Sequence, residues 1–159
     1  TAAFDPAMYA RISQFYAVAA QSINDARLAD WVDLFVERAK YSMISRANYE
    51  RGLPLATMFY ESKGALLDRV TAVDNTMVYQ PRAISLVIGS IALIGTGECI
   101  VRARSSFSMY QTYTDGDPHL FMAGRTFDEI ENVDGTLHFA KRVIVFDSER
   151  IAGSLVYPI

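Results

Sequence analysis

The chain has 159 residues, 51% of them hydrophobic and 21% charged, with a formal net charge of −3. This suits one folded domain, residues 1–159, long enough to bury roughly 70% of the surface its unfolded form exposes. Arg and Lys are scattered, which argues against nucleic acid, and the single cysteine, Cys99, rules out an internal disulfide and suits a reducing compartment.

The longest apolar run, residues 83–94, is too short to cross a bilayer core of ~30 Å as a helix and is flanked by Arg82 and Glu98. No signal-peptide pattern opens the sequence, so a soluble, cytoplasmic protein is expected. The aromatic content, nine Tyr, nine Phe and one Trp, hints at more buried surface than a lone domain requires.

The first third reads as helical. Asp5 can cap a helix whose first position is Pro6, a residue with no N–H to lose. Met8, Ile12, Phe15, Ala19 and Ile23 recur at spacings of four and three and define one apolar face. Asp25 is expected to cap a second helix carrying Leu28, Trp31 and Phe35. A short strand follows at 39–45, then a loop at 48–54 with Gly52 and Pro54. Ser62 can cap a third helix with Leu66, Leu67, Val70 and Val73 on or near its buried side. Trp31, on an apolar stripe, reads as core.

The second half is rich in β-branched and aromatic residues. Strands are expected at 83–94, 100–113, 119–130 and 137–151, separated by Gly95-Thr96-Gly97, Asp115-Gly116-Asp117-Pro118 and Asp134-Gly135. Gly tolerates positive φ and Asp-Gly suits tight hairpins, so these four form an antiparallel meander. In the second strand Val101, Ala103, Phe107 and Met109 alternate with Arg102, Arg104, Ser106, Ser108 and Tyr110. The first strand reads as apolar on both faces, with Ile84, Leu86 and Ile88 on one and Val87, Ile91 and Leu93 on the other. Such a strand is covered on both faces, by a second subunit or by curvature of the sheet onto itself. Helices first and a long meander after give an α+β fold. That order suits the nuclear-transport-factor-2-like (NTF2-like, cystatin-like) cone, with N-terminal helices packed inside a strongly curved antiparallel sheet.

A two-iron, two-sulfur cluster needs four Cys or His ligands, and Cys99, His119 and His138 make three. The two histidines open successive strands, which places them roughly 40 Å apart at ~3.3 Å per residue and disfavours a mononuclear iron site. Cys99 has nothing nearby in sequence to lower its pKa. Asp25, Glu61, Asp68 and Tyr41 are candidates for acid–base work in a cone cavity; cap, dipole and salt-bridge roles explain the carboxylates more simply. Arg102, Arg104, Arg125, Arg142, Tyr110 and Asp128 form a polar set on neighbouring strands. They read either as ordinary cross-strand pairs or as a subunit interface, where Arg and Tyr are favoured.

Several stretches resemble the β (small) subunits of Rieske non-heme iron aromatic-ring-hydroxylating oxygenases. They are Asp30-Trp31-Val32-Asp33-Leu34-Phe35 running on to Tyr41, Glu61-Ser62-Lys63-Gly64-Ala65-Leu66-Leu67-Asp68-Arg69-Val70, Arg102-Ala103-Arg104-Ser105-Ser106-Phe107-Ser108-Met109-Tyr110, Ala123-Gly124-Arg125-Thr126-Phe127-Asp128 and Lys141-Arg142-Val143-Ile144-Val145-Phe146-Asp147. One departure is that Arg82 is followed by Ala83, where many members have Arg-His. Within the family, Arg51-Gly52-Leu53-Pro54-Leu55-Ala56-Thr57 and the Tyr157-Pro158-Ile159 end are most similar to salicylate 5-hydroxylase, with terephthalate and anthranilate dioxygenases next and benzoate dioxygenase also in range. The resemblance implies an α3β3 assembly. The large α subunit then holds the Rieske cluster and the mononuclear iron, and a ferredoxin or reductase delivers electrons from NAD(P)H. Other β subunits complete a trimeric base, and this chain carries no catalytic, cofactor or metal residues. Arg82, Arg102, Arg104, Tyr110, Arg125, Asp128 and Arg142 are the expected subunit-interface residues.

Overall fold

A computed structural model describes residues 3–77, 81–148 and 159. Helix α1 (Pro6–Asn24) starts where Asp5 accepts hydrogen bonds from the N–H groups of Ala7 and Met8, at 3.0 and 3.1 Å. Its buried face carries Ile12, Phe15, Ala19 and Ile23 as expected, and also Tyr16, Ala20 and Ser22. Helix α2 (Leu28–Val32) is capped by Arg27, whose side chain makes no capping bond. Asp25 is therefore not its cap. It ends α1 instead, and its carboxylate lies 3.3 Å from the Arg27 guanidinium. Trp31 is fully buried.

The first strand, β1 (Phe35–Ser45), is longer than its sequence suggests, because Phe35 already pairs with the sheet. A short helix, α3 (Arg46–Glu50), occupies part of the expected loop. The Ser45 hydroxyl accepts from the Asn48 N–H at its start, and Arg46 bonds Glu50 one turn on at 2.8 Å. Strand β2 (Met58–Tyr60) leads to α4 (Lys63–Met77), capped by Ser62 at 3.1 Å from the Ala65 N–H. Leu66, Val70 and Val73 are buried there, whereas Leu67 is 47% exposed, one position off the stripe.

Strands β3 (Arg82–Thr96), β4 (Ile100–Tyr113), β5 (His119–Val133) and β6 (Thr136–Phe146) form the expected meander. Residues 149–151 of the expected last strand lie outside the described residues, and 147–148 are not strand. Asp134 and Gly135 both take positive φ, 50° and 85°, as a two-residue hairpin turn requires. Among the described residues the sheet has six strands in the order β2-β1-β6-β5-β4-β3, with β1 and β6 parallel and the rest antiparallel. It is curved and unclosed, and α1 packs across its concave side against β3.

Two bulges set which residues face the concavity. Ser90 takes a φ of 50°, and the β3–β4 register shifts between Gly89 and Ala92. Ile91 and Leu93 thereby join Ile84, Leu86 and Ile88 on the core side. The reading of β3 as apolar on both faces is thus corrected: of the residues assigned to its second face, only Val87, 53% exposed, stays outside. The other bulge, at Ala140, places Asp128 opposite Arg142 rather than Lys141.

Candidate functional site

One row of residues crosses the concave face: Tyr41 on β1, Arg142 on β6, Asp128 on β5 and Ala103 on β4 are successive register partners. Helix α1 lays Tyr16 over this row. Asp128 Oδ2 accepts from the Tyr16 hydroxyl at 2.6 Å, the Thr126 hydroxyl at 2.8 Å and Arg142 Nη1 at 3.0 Å. The single Thr126 proton is spent on Asp128, so Ser105 is the donor in the 2.6 Å Ser105–Thr126 bond. Asp128 Oδ1 accepts no bond among the described residues. Arg142 also donates from Nε to the Ile159 main-chain oxygen at 3.1 Å, and its guanidinium lies 4.5 Å from the Phe139 ring centre.

The electrostatics follow from burial. Desolvation pushes the Asp128 carboxyl up, against the opposing pull of Arg142 and the Tyr16 and Thr126 hydroxyls. Tyr16 is held far above the ordinary phenol value, first by burial and then by the neighbouring Asp128 charge. Tyr41 is likewise raised by burial, with the Ile159 N–H pulling the other way. Aromatic rings fill the space beneath: Phe15, Tyr16, Trp31, Phe35, Tyr41 and Phe139 meet at centroid distances from 4.5 to 6.3 Å. The polar groups of the row are bonded to one another in this packed interior, an arrangement that holds the cone together.

This placement divides the expected interface set. Asp128 and Arg142 are buried inside the chain, at 3% and 2% exposure, and neither offers a surface to a neighbour. Arg102, Arg104 and Tyr110 stand exposed on the convex face of β4, with half-buried Arg125 facing Ser106 from β5. Arg104 covers the Phe127 ring at 5.4 Å, and Tyr49 of α3 stacks on the same ring at 5.5 Å. Arg102 approaches Glu129 at 3.6 Å, an exposed pair of small energetic weight. Arg82 lies at the other end of the sheet, 5.3 Å from the centre of the Tyr113 ring, which stacks on His119.

The remaining candidates are dispersed. Asp25, Glu61 and Asp68 are exposed, and Tyr41 is wholly buried. Cys99 is exposed in the β3–β4 turn. His119 pairs with Gln111 at one end of β5, while His138 pairs with Glu131 near the other. No three His, Cys, Asp or Glu side chains come together to hold a metal among the described residues, and the donor set does not fit a Rieske cluster. No helix among the described residues is long and apolar enough to cross a membrane.

Sequence reasoning missed Tyr16, Thr126, Ser105 and Ile159. Tyr16 follows Ile12 by four residues on the α1 stripe, and Thr126 and Asp128 share the phase of buried Ile130; both signals were present. The Ala140 bulge carries no such signal, and without it Arg142 points outward.

The profile of the family described as ring hydroxylating beta subunit matches residues 19–153. The small subunit of anthranilate 1,2-dioxygenase from Burkholderia cepacia is 25% identical over 138 residues, covering 86% of this chain and 85% of that protein. A β subunit of the terephthalate 1,2-dioxygenase terminal oxygenase from Comamonas sp. is 22% identical, covering 87% and 90%. The crystal structure of the β subunit of a proposed aromatic-ring-hydroxylating dioxygenase from Novosphingobium aromaticivorans superposes with a TM-score of 0.85 at 33% identity, covering 98% of this chain and all of that one. A proposed scytalone dehydratase from the same organism shares the fold alone, at TM-score 0.72 and 16% identity, with 96% of each chain covered. The fold is therefore the nuclear-transport-factor-2-like cone. With the profile spanning most of its length, the chain belongs to the ring-hydroxylating β-subunit family.

Proposed function

We propose that this chain is the non-catalytic, structural small subunit of an α3β3 aromatic-ring hydroxylase acting on an aromatic carboxylate. Salicylate is the first choice, with terephthalate, anthranilate and benzoate next. The large subunit holds the Rieske cluster and mononuclear iron, and a ferredoxin or reductase supplies electrons. The observation that carries this reading is the division of polar groups between the two faces of the sheet. The concave side closes its acid, arginine and hydroxyls upon one another, while the convex side exposes Arg102 and Arg104 near Phe127 and Tyr110 further along β4. Charge-assisted pairs locked in a packed interior hold a shape, and Arg and Tyr on an open face favour contact with another protein. Arg125 belongs to that contact face, and Arg82 marks a second contact at the sheet end. The named relatives are subunits of dioxygenases for anthranilate and terephthalate, both aromatic carboxylates, which supports the substrate class.

The test is co-expression with the large subunit of a ring-hydroxylating oxygenase. The tagged small chain is expected to retain a brown, iron-bearing partner. With reductase and NADH the pair is expected to convert salicylate to a dihydroxybenzoate faster than it oxidises the other three acids. A small chain that turns over a substrate unaided, as a stand-alone isomerase, dehydratase or cyclase of this fold would, contradicts the reading.

A further inference from the structure

A second row crosses the sheet on its convex side, one position along each strand from the concave row. Lys40 on β1, Lys141 on β6, Glu129 on β5 and Arg102 on β4 are successive register partners. Arg102 lies 3.6 Å from Glu129, the one acid of the row. Lys40 and Lys141 are exposed and stand across from each other, and like charges on paired strands repel. Three cations thus share one acid, on a chain whose net charge is −3. A hollow of about 240 Å³ opens at this row, walled by Ile94, Phe127 and Val143 and edged by Arg102, Lys141 and Glu129.

The far end of the β4–β5 hairpin has the opposite character. Asp115-Gly116-Asp117 forms its tip, where the Gly116 N–H donates to the Tyr113 carbonyl oxygen at 3.0 Å. Both aspartates are exposed, and neither pairs with a cation among the described residues. Tyr113 and Leu120 add exposed apolar surface beside them, with Arg82 behind, over the Tyr113 ring. At ~3.3 Å per residue the run from Arg102 to Asp115 sets hollow and tip roughly 40 Å apart, so one chain cannot join its own two ends. We propose that the hollow between Arg102 and Lys141 receives the Asp115–Asp117 tip of a second copy of this chain. The tip brings the negative charge that the row lacks and lays Tyr113 and Leu120 beside the apolar wall. Two different patches meet, so the contact is heterologous and closes as a ring, of three copies in the proposed α3β3 particle. The inference rests on the reading of the convex face as a subunit contact and names the neighbour there as another small chain.

Sedimentation velocity of the full chain alone tests it. The chain is expected to self-associate, and the association should weaken at least about tenfold between about 0.05 and 0.5 M salt. Reversing the tip, Asp115→Lys with Asp117→Lys, or the hollow, Arg102→Glu with Lys141→Glu, should each weaken it at least about tenfold. All four substitutions in one chain should restore it to within about threefold of the unaltered chain, because the charges again match. A chain that stays monomeric at about 0.1 mM overturns the proposal, as does reversal without effect or a fourfold variant no better than either pair. If a reversed chain does not fold, the salt series on the unaltered chain decides, and association indifferent to salt overturns the proposal. Retention of the large subunit is read separately. A small chain that is monomeric alone yet retains the large one refutes this contact and leaves the proposed function standing; one that self-associates as described yet retains no large subunit does the reverse.

Discussion

Asp128 gathers three hydrogen bonds onto one oxygen, and Arg142 supplies the charge that makes this tolerable in a dry interior. Removing one partner leaves the other charge buried and unpaired. Arg142→Met is therefore expected to cost about 3–5 kcal/mol in urea denaturation. Adding Asp128→Leu to it should return most of that loss, because a well-packed apolar pair needs no desolvation. Tyr16 and Tyr41 give a second handle. Both phenols are raised in the folded state, so the stability they contribute is complete below the ordinary value of 10.0 and is lost as pH climbs beyond it. An absorbance titration at alkaline pH should find these two tyrosines ionising only as the protein unfolds, and Tyr16→Phe should remove one of them. Sequence reading put Asp128 and Arg142 on neighbouring strands and allowed them to pair, which the structure bears out. It set them beside Arg102 in one polar set: the Ala140 bulge that turns Arg142 inward leaves no local signal, and the phase that Asp128 shares with buried Ile130 was not followed.

The strands owe their shape to a few residues that interrupt them. Gly124 is one: a methyl group there would collide with the main-chain oxygen of Val145 and lie 2.9 Å from Phe146 Cα. Main chain cannot swing aside like a side chain, so Gly124→Ala is expected to lower stability by about 3 kcal/mol, measured by thermal or urea unfolding. Asn24 is another. Its side chain accepts from the Leu86 N–H at 2.6 Å and donates to the Leu86 carbonyl at 3.2 Å, capping part of an edge strand from the end of α1. Asn24→Ala should cost about 1–3 kcal/mol by leaving both groups without that partner. The four long strands, their three turns, the Asp5 and Ser62 caps and the core face of α1 were all readable, since each rests on local chemistry or simple periodicity. The Arg27 cap of α2, the exposure of Leu67 and the phase change at Ser90 were not. They depend on how α4 and β3 meet their neighbours, which no local pattern records.

At the scale of the whole molecule, the cone offers two faces with different tasks. The concave face is filled by its own helices and aromatic rings, and the convex face carries arginines that are not fully covered among the described residues. If that face meets another subunit, a double substitution, Arg102→Glu with Arg104→Glu, should leave the Tm of the lone chain within a few degrees, since exposed changes cost at most ~0.5 kcal/mol. The same change should weaken assembly at least about tenfold in analytical ultracentrifugation. Helical start, meander and resemblance together made the α+β cone and the family readable before the structure. The contact face was readable only in part, because exposure is a property of the folded sheet. Native mass spectrometry of the chain co-expressed with its large subunit tests the central claim most directly. Three small and three large chains in one particle is the expected result. A small chain that remains a monomer in the presence of the large one would contradict it.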